Sequence, residues 1–240
     1  YVFFKGINHY GEQGLILDFG SDSSQQISQE VNAVYTLLQD LDLHQINIVP
    51  SFNKIVLAFQ SSKDRNQAQD AIELNLTKAN LINAQKDRKS WNIPACYEDS
   101  YALDRELIQT THRLTKEEVI SKHTSISYYT YYIGFMPGFP YFGDIDPSLI
   151  TPRLATPRVQ IPARSIGIAK EHTCIYPKVS PGGWNIIGQV PFDIFSLEHS
   201  RTSLFHPGDT VQFLSISEKE FLQIQSKHLV FEDIIKEFSK

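Results

Sequence analysis

The chain has 240 residues, 41% hydrophobic and 20% charged. That is enough apolar material for a buried core without metal or disulfide staples. Its 22 basic and 27 acidic side chains give a formal charge of −5, which argues against a nucleic-acid-coating protein. Two cysteines, Cys96 and Cys174, stand far apart, so neither a disulfide scaffold nor a structural zinc site is expected. No apolar run approaches the roughly 18 residues of a membrane helix. No basic segment followed by an apolar stretch opens the sequence, and a cytoplasmic protein is expected.

In chain order, Leu15–Phe19 reads as a short apolar strand ending at Gly20. Ile27, Val31, Val34, Leu38 and Leu41 recur at a helical period. Ile46–Val49 and Lys54–Phe59 are apolar runs separated by a turn at Pro50–Asn53. Asp64 with Gln67 is a variant capping box, and it predicts a second helix with an apolar face of Ala68, Ile72, Leu76, Ala79 and Ile82. The order strand, strand, helix, strand, strand, helix describes a small α/β sandwich. The polar stretch Gln85–Ser90 reads as a linker.

Ten of the twelve prolines and eight of the twelve glycines fall between Gly134 and Gly208, which marks a second unit of different architecture. It opens with a strand at Ile93–Tyr97 and a short helix over Leu103–Gln109. Thr115 with Glu118 forms a capping box for a helix running to about His123. Tyr128–Phe135 is an aromatic, β-branched strand. Apolar segments follow at Val159–Ile161, Ser165–Ala169, Thr173–Tyr176, Trp184–Ile187, Phe192–Phe195 and Val211–Leu214, a rhythm that fits a closed barrel or a sandwich. Ser217 with Glu220 caps a further helix, and Phe231–Phe238 is a short amphipathic segment. The expected class is α+β, with an N-terminal α/β domain over 1–90, a barrel over 91–216 and a helical tail over 217–240.

Phosphate-cradle, dinucleotide, nucleophile-elbow and zinc-protease motifs are missing from the sequence. The eight histidines lack metal-ligand spacing, and no metal site is expected. The segment Gly134-Phe-Met-Pro-Gly-Phe-Pro-Tyr-Phe-Gly143 stands out, because its glycines and prolines fix a partly positive-φ loop that carries aromatics. Such a loop makes an apolar binding platform with little entropy to lose; it could equally plug one end of the barrel. Thr151-Pro-Arg153 and Thr156-Pro-Arg158 place arginines on stiffened turns, suited to a carboxylate or phosphate or simply to solvent. Ser180-Pro-Gly-Gly-Trp184 is a diglycine turn whose backbone a ligand or a second loop can approach.

GFMPGFPYFGDID, TPRLATPR, IPARSIGIA, CIYPKVSPGGWNIIGQVP and HPGDTVQF, in that order, resemble the allophanate hydrolase subunit 1 family. Its members include the sporulation-kinase inhibitor KipI and the B-type subunit of 5-oxoprolinase. The resemblance covers about Ile93 to Leu214, with a weaker upstream match at Tyr10–Gly20. Where the family commonly reads P-A-G-S-V-G-I-A-G-x-Q-T-G-I-Y-P, this chain carries Arg164, Lys170, His172 and Cys174.

The resemblance implies a cyclophilin-like β-barrel after the α/β domain. It also implies a non-autonomous subunit of an ATP-dependent 5-oxoprolinase that opens 5-oxo-L-proline to L-glutamate. The implied partners are a subunit 2-like, carboxyltransferase-type protein and a LamB/YcsF-like protein, with ATP used by the assembly. The cleft residues it implies are Phe135, Pro137, Gly138, Phe139, Pro140, Tyr141, Arg153, Arg158, His172, Tyr176, Pro181, Gly182, Gly183 and Trp184, with His123 as a further polar contributor. The alternative reading is a regulator that docks on a histidine kinase, as KipI does. A prolyl isomerase follows from barrel shape alone and ranks below both.

Overall fold

The computed structural model describes residues 2–78, 88–199 and 202–240, and the chain divides into two compact units, 1–87 and 88–240. In the first unit, strands β1 (Gly6–Tyr10), β2 (Gly14–Asp18), β3 (Gln45–Pro50) and β4 (Lys54–Phe59) form an antiparallel sheet in the order β1-β2-β4-β3. Period-two alternation turns Leu15, Leu17, Ile55, Leu57 and Phe59 to one face. There they form one cluster with Ile27, Val31, Val34 and Leu38 of α1 (Gln25–Gln39) and with Ala68, Ile72 and Leu76 of α2 (Ser62–Lys78). Ala79, Ile82 and 85–87 of the expected linker lie outside the described residues. The second helix starts earlier than the Asp64/Gln67 signal suggests. Ser61 Oγ accepts from Asp64 N at 3.1 Å, so Ser61 caps the helix and Asp64 sits in its first turn.

The second unit contains β5 (Ser90–Cys96), β6 (Ser127–Ile133), β7 (Pro140–Gly143), β8 (Arg158–Ile161), β9 (Ser165–Ala169), β10 (His172–Ile175), β11 (Ser180–Gly182), β12 (Asn185–Gln189) and β13 (Thr210–Ile216). Seven of these close a barrel in the cyclic order β10-β7-β6-β13-β5-β12-β9. All neighbours are antiparallel except β13 and β5, which run parallel from Thr210↔Ser90 to Ile216↔Cys96. Strands β8 and β11 form a separate two-stranded ribbon. Phe192–Phe195 is no strand: Phe192 and Ile194 are buried in the barrel core without a ladder, and Phe195 makes a single bridge to Ser203.

Helices α3 (Arg105–His112), α4 (Lys116–Thr124), α5 (Glu218–Ser226) and α6 (Phe231–Phe238) complete the unit. The capping boxes at Thr115/Glu118 and Ser217/Glu220 both form with their reciprocal bonds. Phe231 and Ile234 of α6 join the barrel core. The HPGD segment is also structural. The buried Asp209 carboxylate accepts from Trp91 Nε1 (2.9 Å), Lys89 N (2.9 Å) and His206 N (3.0 Å), which ties the start of β5 to the start of β13.

His123, at the end of α4, lies wholly inside the barrel. Thr173 Oγ1 spends its proton on Gly167 O (3.0 Å), so it accepts from His123 Nε2 (3.0 Å). His123 Nδ1 is then the acceptor for Tyr97 Oη at 2.8 Å. This chain of bonds requires a neutral imidazole, and burial pushes its pKa down to about 3. An unfolded histidine protonates near 6.5. Between these values the unfolded state binds the extra proton, so His123 removes stability as pH falls through that window. Both tryptophans belong to this unit, so their fluorescence follows its unfolding in urea. Going from about pH 7.5 to about pH 5 is expected to cost the wild type roughly 2 kcal/mol more than it costs His123→Gln. Equal losses would mean that His123 is solvated in the folded protein.

Candidate functional site

The loop after β6 is folded on itself. Gly134 N donates to Phe139 O (3.0 Å), Met136 N to Gly134 O (2.8 Å) and Phe139 N to Met136 O (3.1 Å). Phe135 and Gly138 take positive φ values of 68° and 78°. A Cβ at Gly138 would stand 2.6 Å from the Cβ of Phe195, so only glycine fits. The backward turn leaves Phe135 65% exposed and buries Phe139.

Alternation along the barrel strands puts Phe142, Thr173, Ile175, Ile166 and Ile168 inside and turns Tyr141 and Cys174 outward. On that outer face Phe139 meets the rings of Phe135 (5.4 Å), Tyr141 (5.1 Å), Tyr176 (5.1 Å) and Trp184 (5.8 Å) in edge-on and tilted geometries. Ile161, Cys174 and Ile186 pack into the same cluster. Tyr141 also stacks on Tyr132 at 4.3 Å. Gly182 lets the β8–β11 ribbon lie close to this floor, because a Cβ there would sit 2.5 Å from Tyr176 Oη. At Gly183 the nearest atom to such a Cβ is 3.7 Å away.

The result is a cavity of about 280 Å³ lined by Phe135, Phe139, Tyr141, Arg153, Pro157, Tyr176, Pro181, Gly182, Gly183 and Trp184. Arg153 is its one charged residue, with its guanidinium carbon 5.9 Å from the Trp184 ring centroid. Two bonds fix the backbone on either side of it: Leu154 N donates to Gly183 O (2.7 Å) and Asn185 Nδ2 to Pro152 O (2.9 Å). Burial raises the pKa of Tyr141, Tyr176 and Cys174, so at neutral pH these groups keep their protons.

Of the fifteen residues expected at the cleft, nine line this cavity. Pro137, Gly138 and Pro140 shape the loop without lining it. Pro157 carries no sequence signal of its own beyond lying inside the second Thr-Pro-Arg turn. His123 is a core residue of the barrel. His172 shares the outer face of β10 with Cys174 but sits two residues back, 5.8 Å from the Tyr131 ring, where burial lowers its pKa. Arg158 is also elsewhere. Its two terminal nitrogens fork onto both oxygens of Asp104 at 2.6 Å. Asp104 is 5% exposed. It also accepts from Ile186 N (2.7 Å) and donates its own N–H to Ile186 O (2.7 Å). Arg158 therefore fastens the β8–β11 ribbon to the start of α3 and to β12.

Residues 5–205 match the family described as carboxyltransferase domain, subdomain C and D. The chain belongs to this family. Within it, the B-type subunit of 5-oxoprolinase from Bacillus subtilis is 30% identical over 228 residues, 90% of this chain and 94% of that protein. The crystal structure of TTHA0988 superposes with a TM-score of 0.74 at 27% identity, covering 85% of this chain; the chain spans 40% of that longer one. PH0987 from Pyrococcus horikoshii, described as a conserved uncharacterized protein, gives a TM-score of 0.54 at 29% identity, covering 90% of this chain and 99% of that one. Among the described residues, no group of three or more His, Cys, Asp or Glu is placed to hold a metal, and no helix is long and apolar enough to cross a membrane.

The two Thr-Pro-Arg arginines separate by stability. Arg158→Ala strands the buried Asp104 carboxylate and is expected to cost about 2–3 kcal/mol. The exposed Arg153→Ala is expected to stay within about 0.5 kcal/mol of wild type. Urea unfolding measures both, and an Arg158→Ala protein as stable as wild type would contradict the assignment.

Proposed function

We propose that this chain is the B-type subunit of an ATP-dependent 5-oxoprolinase and that its cavity forms one wall of a site completed by other subunits. The observation that carries the reading is the cavity's chemistry. It has aromatic walls and one arginine, and among its lining residues no carboxylate, imidazole or thiolate able to act as a general base. Such a surface binds a small molecule and leaves the reaction to groups from elsewhere. The near full-length likeness to a B-type 5-oxoprolinase subunit supports the same reading, as does the recurrence of this fold as part of a longer chain.

The chemistry favours a divided site. A lactam is unactivated towards water. Transfer of the γ-phosphoryl group of ATP to the lactam oxygen makes its carbon electrophilic. Water then adds there, the C–N bond breaks and phosphate leaves, giving glutamate and ADP. Water has to be kept out before phosphorylation, which a cleft closed between subunits achieves. The cavity's single cation does not match a triphosphate with its metal ion, which calls for several donors and a carboxylate. In this reading ATP is handled by the subunit 2-like, carboxyltransferase-type partner or the LamB/YcsF-like partner, and this chain contributes apolar walls and Arg153.

Reconstitution with those two partners is expected to release glutamate from 5-oxo-L-proline only when ATP and this chain are both present. Gly183→Val, whose added carbons enter open cavity space, is expected to lower that activity at least tenfold while stability changes by less than about 1 kcal/mol. Full activity without this chain would sink the reading. Recovery of a histidine kinase from native lysate in place of these subunits would favour the regulatory alternative.

A further inference from the structure

We infer that the cavity is a carboxylate site: Arg153 clamps the carboxylate of a small ring-shaped monoanion whose apolar body lies against Phe139, Tyr141 and Trp184, and this chain binds that ligand without supplying a reacting group. The identification of the ligand as 5-oxo-L-proline rests on the proposed function; the ligand class rests on the geometry alone.

Charge comes first. Arg153 is the one charged residue lining the cavity, so a cationic ligand is repelled and a multiply charged one is left uncompensated. A guanidinium is a planar fork that matches a carboxylate with two parallel bonds. This one is pre-positioned over the Trp184 ring, and the backbone bonds of Leu154 and Asn185 hold its segment. Little ordering remains for ligand binding to impose.

Size and lining come next. About 280 Å³ lies just below the range of drug-sized pockets, so the cavity takes a small ring and excludes a nucleotide. The rings around Phe139 offer flat faces and edges to such a body. Tyr141 and Tyr176 keep their phenolic protons through burial and stand as neutral polar groups. Cys174 is fully buried beneath the floor, and His123 and His172 lie elsewhere, so no nucleophile or base reaches the ligand from this chain.

The test titrates the whole chain calorimetrically with four probes: 5-oxo-L-proline, cyclopentanecarboxylate, 2-pyrrolidinone and inorganic phosphate. Both carboxylates are expected to bind, each at least tenfold more weakly to Arg153→Gln. Pyrrolidinone, the same lactam without the carboxylate, is expected to bind at least tenfold more weakly than 5-oxo-L-proline, and phosphate to displace neither. In the reconstituted complex Arg153→Gln is expected to raise KM about tenfold or more with kcat within about twofold, the mark of a uniform binding contact. No binding of either carboxylate, displacement by phosphate, equal binding of pyrrolidinone, or an unchanged KM would overturn the inference. The two readings fail separately. Cyclopentanecarboxylate binding without 5-oxo-L-proline binding keeps the carboxylate site and sinks the oxoprolinase. An active complex indifferent to Arg153 keeps the oxoprolinase and sinks the site.

Discussion

The cavity depends on the inward turn of Phe139. Its ring touches those of Phe135, Tyr141, Tyr176 and Trp184, and burying it contributes about 2–3 kcal/mol, with about 1 kcal/mol more for each well-placed ring pair. The turn is enforced from both sides: by the backbone bonds that close the loop, and by Gly138, where any side chain would collide with Phe195. Everything else at the site is built outward from this wedge. Tyr141 and Trp184 are placed against it, and Arg153 is placed against Trp184.

The helices and the outline of the first unit were legible because their signals are local. The α1 stripe shows a 3.6-residue period, and both capping boxes are four-residue patterns that form as read. β1 was missed because Gly6–Tyr10 is partly or fully exposed and carries almost no apolar alternation. β7 was hidden inside a segment whose prolines and glycines read as loop. Phe192–Phe195 misled in the other direction, since its apolar residues are buried by packing and not by a ladder. The site itself was visible as rigid aromatic and diglycine loops. The sequence could not show which of two near-identical Thr-Pro-Arg turns faces the cavity. The β8–β11 register, with Gly182 opposite Arg158, decides that, together with a partner, Asp104, more than fifty residues away.

Two departures from the family pattern have a backbone meaning. Arg164 and Lys170 both adopt positive φ, 70° and 51°, at places where the pattern has glycine. The turns have been kept and the residue suited to them has not. Arg164 recovers contacts in exchange: it donates to Pro191 O (3.3 Å), pairs with Asp193 (4.0 Å) and reaches Gln225 of α5. Cys174, also a glycine in the pattern, fills part of the core beneath the cavity with its Sγ 3.2 Å from where a Cβ on Gly167 would lie. His172 changes the neighbouring stretch of β10, outside the cavity lining. These substitutions adjust the floor and corners of the site and leave Phe139, Trp184 and Arg153 in place.

The arrangement separates holding from reacting: a rigid aromatic pocket with one cation here, and activation of the amide on other subunits. The most direct measurement is a crystal structure of this chain soaked with 5-oxo-L-proline. The account expects the lactam ring among Phe139, Tyr141 and Trp184 with its carboxylate on Arg153. Ligand bound at another surface, or an empty cavity at saturating concentration, would contradict it.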